Sequence, residues 1–332
     1  MNTTQIPTVV VTGATSGVGR ATALRFAEDG ARIALLARGS EGLEATARQV
    51  TEAGGTPLPI ATDVSDPDAV AEAARKTEES LGEIDIWVNN AMTTVFSYFE
   101  DTQPEEFRRA TEVTYLGVVW GTRAALKHMR PRNRGTIIQV GSALAYRGIP
   151  LQAAYCGSKH AIKGFTESVR TELAHEGSGI HVGMVQLPAV NTPQFSHCLS
   201  SFDRHPMPVP PIYQPEVAAE AIRLAVDQQR REIYVGLPTV LTILGNKVSS
   251  RFMDWYLARN GVDSQLADRP AAPGNAKGNL FEPAPGDAGA HGIFDSRSRS
   301  WSPELWLSKR RKSLAATVLG TLTLGLGWLA SR

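Results

Sequence analysis

In the stretch YCGSKHAIKGF, residues 155–165, Tyr155 lies one helical turn before Lys159. A phenol and an ammonium four residues apart share one face of a helix, and a pair so placed can pass a proton to or from a substrate oxygen. The spacing alone leaves two readings open: a general acid/base pair, or a buried ring beside a solvated lysine at the start of an amphipathic helix. What else the chain brings to that turn decides between them.

A second candidate lies near the start. TGATSGVGR, residues 12–20, follows an apolar run and opens a helix-period segment, the context in which glycines serve phosphate binding. Gly13 permits a tight turn, Gly17 lets the backbone approach a pyrophosphate, and Gly19 lets helix and sheet pack closely. The helix that follows would offer free N–H donors and the positive end of its dipole. At the end of the second apolar run, where a carboxylate would bind the ribose hydroxyls of NAD, stand Ala37 and Arg38. An acid would repel a 2′-phosphate and an arginine can pair with it, so the expected cofactor is NADP(H). Thr15, Ser16 and Ser40 are further hydroxyl donors for it.

These groups need a scaffold, and the chain spells one out. Runs at 8–12, 32–37, 84–91, 135–142, 180–187 and 232–236 are apolar and rich in β-branched residues, as buried strands are. Helix-period segments separate them: Gly17–Asp29, Ser40–Ala53, a helix from the Asp66-Pro67 cap to Leu81, then 104–130, 153–175 and 215–229. Strands alternating with helices predict an α/β, doubly wound parallel sheet over residues 1–236. Beyond it we expect one apolar helix at 237–260, a Pro/Gly-rich irregular arm at 261–306, and a basic flank with an apolar helix at 307–332.

Composition sets limits. The chain has 332 residues, 42% hydrophobic and 20% charged, enough for a full core. Cys156 and Cys198 are the two cysteines; they cannot build a disulfide framework and lack metal-ligand spacing, so a reducing cytoplasm and no metal are expected. The start shows no signal peptide pattern. The net charge of +1 divides unevenly: residues from Ser296 onward carry seven Lys/Arg and one acid, a net of +6, which leaves −5 for the rest. SRSRSW at 296–301 is too short, and too isolated from any recognition motif, to suggest nucleic acid. Ser313–Ser331 is an uncharged run of nineteen residues after Lys309–Lys312. As a helix it would span roughly 28 Å, against about 30 Å for a bilayer core. We therefore expect a C-terminal membrane anchor with the catalytic domain on the cytoplasmic side.

Taken together, the motifs resemble the short-chain dehydrogenase/reductase family. The matching pieces are T-G-x-x-x-G-x-G at Thr12–Gly19, Asp63-Val64, Asn89-Asn90-Ala91, and Ser142 placed thirteen residues before Tyr155-x-x-x-Lys159. The resemblance spans residues 7–236 and implies a Rossmann-type, homo-oligomeric oxidoreductase. In it Ser142 would hold the substrate oxygen and Tyr155 would act as general acid/base. Lys159 would favour the phenolate, whose ordinary value near 10 is otherwise high, and would grip the nicotinamide ribose. Gly13, Thr15, Ser16, Gly17, Val18, Gly19 and Arg38 would bind the pyrophosphate and adenosine. Asp63 and Val64 would flank the adenine, Asn90 the adenine ribose, and Val190 and Thr192 the carboxamide and phosphates. Three departures stand out: Thr114 replaces an asparagine of the proton relay, Met92 a glycine after Asn-Asn-Ala, and Leu187-Pro188 the usual Pro-Gly. The variable segment 193–213 carries Phe195, Phe202, Met207 and Tyr213, which favours a small apolar ketone or alcohol as substrate. A non-enzymatic dinucleotide-binding module is the competing class: Thr114 and Met92 lean that way, and the intact Ser142, Tyr155 and Lys159 lean against it.

Overall fold

The computed structural model describes residues 6–311. Its centre is a seven-stranded sheet built from β1 (Thr8–Thr12), β2 (Arg32–Ala37), β3 (Thr56–Ala61), β4 (Ile84–Asn89), β5 (Gly135–Ser142), β6 (Ile180–Leu187) and β7 (Glu232–Tyr234). The spatial order is β7-β6-β5-β4-β1-β2-β3, and every pairing is parallel. The chain winds outward from β1 to β3, crosses back, and winds the other way from β4. The carboxyl ends of β1 and β4 therefore flank a switch in direction, the place where such sheets leave a crevice.

Helices cover both faces: α1 (Gly17–Ala27), α2 (Ser40–Glu52), α3 (Pro67–Leu81), α4 (Pro104–Thr111), α5 (Gly117–Met129), α6 (Ala153–His175) and α7 (Pro215–Asp227). Side chains alternate along a strand, so β1 serves two cores. Val9 and Val11 join Phe26, Leu35 and Ile222 on one face, while Val10 joins Leu36, Trp87 and Met129 on the other. The start of α3 matches its sequence signal: the Asp66 carboxylate accepts from the amides of Asp68 and Ala69, at 2.9 and 3.2 Å, ahead of Pro67.

The structure departs from the sequence expectation in three places. The helix expected over 104–130 is two, α4 and α5, joined by a π turn at Glu112–Leu116. The apolar helix expected at 237–260 is also two, α8 (Leu237–Val248) and α9 (Ser250–Asn260). Ser249 breaks it, because its extended backbone and its side chain, which accepts from the Phe252 amide, begin a new helix. Nor are these helices enclosed, since Leu241, Val248, Phe252 and Trp255 remain exposed. The arm after Gly261 is largely irregular but is laid on the body: Leu266–Pro270 pairs antiparallel with Arg204–Pro206, and Ser298–Arg299 pairs with Ile212–Tyr213. A last helix, 303–311, docks Lys309 on Glu220 at 2.6 Å. The apolar run expected to anchor the protein lies outside the described residues; among those described, no helix is long and apolar enough to cross a membrane.

Candidate active site

The carboxyl ends of β1, β2, β4, β5 and β6 open into one cavity of about 530 Å³, within the range of small-molecule sites. Gly13, Thr15, Ser16, Gly17, Val18 and Arg38 line one end, Ser142, Tyr155 and Lys159 the other. Asp63, Val64, Asn90, Val190 and Thr192 line it too. Ser40 does not reach it.

The glycine loop is shaped for a ligand's close approach. Gly13 and Gly17 have φ of +65° and +54°, values that L side chains rarely adopt. A Cβ on Gly19 would lie 2.1 Å from the Gly13 carbonyl oxygen. Asn90 holds the loop from below, its side-chain amide donating to the carbonyls of Thr12 and Gly13 at 3.0 and 3.2 Å. Ser16 starts α1 without a side-chain cap, and the Gly17 amide donates to the Gly289 carbonyl of the arm at 3.2 Å. This donor-rich cradle fits a dinucleotide.

Two arginines shape the far corner. Burial pushes the Asp63 carboxyl up, but Arg109 and the amide and hydroxyl of Ser65 outweigh it and leave the group below its usual range. Arg109 pairs with Asp63 and also hydrogen-bonds Ser65. Arg38 has no carboxylate among its hydrogen-bond partners: it donates to backbone carbonyls of Asn279, Phe281 and Leu280, at 2.5, 2.9 and 3.3 Å. Carbonyls satisfy donors without cancelling charge, so a net positive charge remains at this corner.

At the other end, α6 presents Tyr155 and Lys159 on one face, as the spacing requires. Ser142 closes β5, and its hydroxyl accepts from the Leu144 amide at 3.1 Å. Burial raises the Tyr155 phenol above its ordinary value, and the Ser142 hydroxyl beside it pulls the other way. Lys159 is 3% exposed, and burial lowers it to about 8. Its ammonium donates to the Val140 carbonyl at 2.7 Å and stands 5.3 Å from the centre of the Tyr155 ring. Burial is the largest influence on the phenol. Apolar walls continue beyond Tyr155: Phe96, Leu144, Ile149, Phe195, Met207 and Leu257.

Thr114 is set apart from these groups. It lies in the π turn, fully buried, its hydroxyl donating to the Thr93 carbonyl at 2.8 Å and accepting from the Thr93 amide at 3.0 Å. Both bonds fix the chain just after Ala91, and none reaches Lys159. Met92 does border the cavity. Sequence reasoning missed the wall made by the arm: Asn279, Pro283, Ala284, Gly286 and Ala288 line the adenosine end. The second half of the apolar helix expected after the sheet, α9, brings Met253 and Tyr256 to the opposite mouth. Nothing in PAPGDAGA marks it as a binding segment.

Comparison with known proteins agrees with this arrangement. The short chain dehydrogenase family model matches residues 7–200. The uncharacterized oxidoreductase YxnA of Bacillus subtilis is 33% identical over 98% of this chain and 90% of its own length, so the alignment runs through the arm. Estradiol 17-beta-dehydrogenase 11 of Rattus norvegicus is 30% identical over 76% of this chain and 84% of its own. A crystal structure of a putative short-chain alcohol dehydrogenase from Sinorhizobium meliloti, 32% identical, superposes with a TM-score of 0.52 over 54% of this chain and 71% of that one. Loop, sheet order and the Ser142–Tyr155–Lys159 end all point the same way, and the chain belongs to the short-chain dehydrogenase family, oxidoreductases that use nicotinamide dinucleotides.

Proposed function

We propose that the protein interconverts an apolar ketone and its secondary alcohol with NADP(H), using Tyr155 as general acid/base. The observation that carries this reading is a single cavity with a dinucleotide cradle at one end and Ser142, Tyr155 and Lys159 against apolar walls at the other. The bound nicotinamide would supply or accept the hydride at the substrate carbon. Ser142 would orient the substrate oxygen by a hydrogen bond. In reduction Tyr155 gives its proton to that oxygen, completing the alcohol; in oxidation it takes the proton back. Burial holds the Tyr155 phenol protonated, so the proton that reduction needs is in place. Lys159, with its charge confined at the Val140 carbonyl, would steady the phenolate left by proton transfer and contact the ribose. Phe96, Phe195 and Met207 favour an apolar substrate, as their area leaves water on binding.

NADP(H) is favoured over NAD(H) by the charge at Arg38, which no carboxylate contacts directly, and by Ala37 where an acid would serve a free ribose. Tyr155→Phe tests the catalytic assignment. Turnover should fall by about 10² or more while NADPH binding, read by fluorescence, is retained. Near-wild-type turnover in that variant would refute it.

A further inference from the structure

The arm runs the length of the proposed cofactor cleft, on its solvent side. It starts at the adenosine corner, where Asn279, Leu280 and Phe281 give carbonyls to Arg38, and Leu280 also accepts from Arg109 at 3.1 Å. It is fastened again at the glycine loop. There Asp287 takes both terminal nitrogens of Arg20, which is 1% exposed, and the Gly289 carbonyl accepts from the Gly17 amide at 3.2 Å. A third tie follows at Asn191, whose side chain accepts from the Phe294 amide at 3.0 Å and donates to Asp295 at 2.9 Å. Between the first two fastenings lies Pro283-Ala284-Pro285-Gly286, for which no hydrogen bond to the body is found. Pro283, Ala284 and Gly286 line the cavity, while Pro283, Pro285 and Gly286 are exposed on their outer side.

This is a short span of chain with its ends held and its middle free, laid over the place where a dinucleotide's adenosine half would sit. We infer that residues 279–289 are part of the cofactor site, a strap that must lift to admit or release the dinucleotide and that then holds it. The inference rests on the cofactor reading above and extends it from which ligand binds to how that ligand exchanges. Two features support it independently: the arm meets the glycine loop at the Gly17 amide, within the anion cradle, and it meets Arg38, the residue assigned to the 2′-phosphate. Both contacts put the strap's own carbonyls next to the groups that would bind the ligand's phosphates. Its seating and the ligand's seating are therefore coupled.

The geometry offers a reversible lock. A Cβ built on Gly39 lies 3.4 Å from the Pro283 Cβ, close to the roughly 3.5–4.5 Å that disulfides take. Gly39 has extended backbone, φ −84° and ψ 123°, which any residue adopts. The natural cysteines, Cys156 and Cys198, are buried, so the introduced pair should oxidise selectively. In Gly39→Cys/Pro283→Cys, stopped-flow NADPH fluorescence should show entry slowed about 100-fold or more when the empty protein is oxidised. Release should slow as much when it is oxidised after loading, and reduction should restore both rates. Equal rates in the two redox states would overturn the strap while leaving the cofactor reading intact. Should the double variant fail to fold or to oxidise, Asp287→Asn weakens the second fastening, and release should quicken about tenfold or more; wild-type entry and release in that variant would overturn the strap equally. Failure of the wild-type protein to bind either NADPH or NADH would overturn the cofactor reading and the strap with it.

Discussion

Replacing Arg38 by alanine separates two jobs that the structure gives to one side chain. The guanidinium anchors the arm through the carbonyls of Asn279, Phe281, Leu280 and Glu282, at 2.5, 2.9, 3.3 and 3.5 Å, and it is the residue proposed to meet the 2′-phosphate. Loss of the anchor should weaken NADPH and NADH alike, because the arm covers the adenosine half that both share. The phosphate contact exists for NADPH alone, and a charge-assisted hydrogen bond is worth about 1.5–3 kcal/mol, roughly 10- to 150-fold in affinity. The arm term cancels in the ratio of the two dissociation constants, so that ratio, not either constant, is the measurement. Arg109 stays at the corner, but it is bound to Asp63 and cannot stand in for Arg38, so the upper half of the range is expected. Calorimetric or fluorescence titration of both cofactors at one ionic strength gives the ratio. Equal losses for NADPH and NADH, whatever their size, would refute the phosphate role and leave Arg38 as an anchor only.

Two further outcomes follow from the buried groups. Lys159 loses its charge near 8 in the folded protein, against 10.5 for an ordinary lysine, so the reduction rate should fall as pH rises through about 8; a profile flat to pH 10 would mean the ammonium is not needed. Over the same window the unfolded chain binds more protons than the folded one, so the contribution of Lys159 to stability should rise with pH from about 8 to 10.5. Thr114→Val keeps the shape but strands the amide and carbonyl of Thr93, and should cost about 2 kcal/mol of stability by urea denaturation, with turnover changed less than tenfold and Thr114→Ser restoring the stability. A larger loss of turnover at intact stability would return Thr114 to the proton path.

The parts legible in the sequence were those whose cause is local. Val9–Val11 read as a buried strand because a strand covered on both faces has no polar side, and Asp66-Pro67 read as a helix start because cap and first turn are neighbours in the chain. Tyr155 and Lys159 were legible for the same reason, since a helix fixes residues four apart. The π turn was not, because its residues, Glu112–Leu116, include no glycine or proline to mark a break. The break at Ser249 did have a signal, the paired serines 249 and 250 ahead of Phe252, which the apolar character of the segment overrode. The arm was hidden for a deeper reason. It binds Arg38 and Gly17 through backbone carbonyls, which every residue possesses, so its composition records only that it is irregular. The burial of Tyr155 was not legible either, because it depends on walls drawn from distant segments, such as Phe96, Phe195 and Leu257.

The contact between Arg20 and Asp287 joins residues 267 positions apart. At about 5–20 residues per second, a ribosome places Asp287 roughly 13–50 s after Arg20. By then β1 to β7 have all been made, and the sheet with its glycine loop has had time to form around an open cleft. A dinucleotide meeting the nascent chain would find the cradle ready and nothing across it. Loading during synthesis, followed by closure when residues 279–289 emerge, would let the protein leave the ribosome with a dinucleotide already held under the strap.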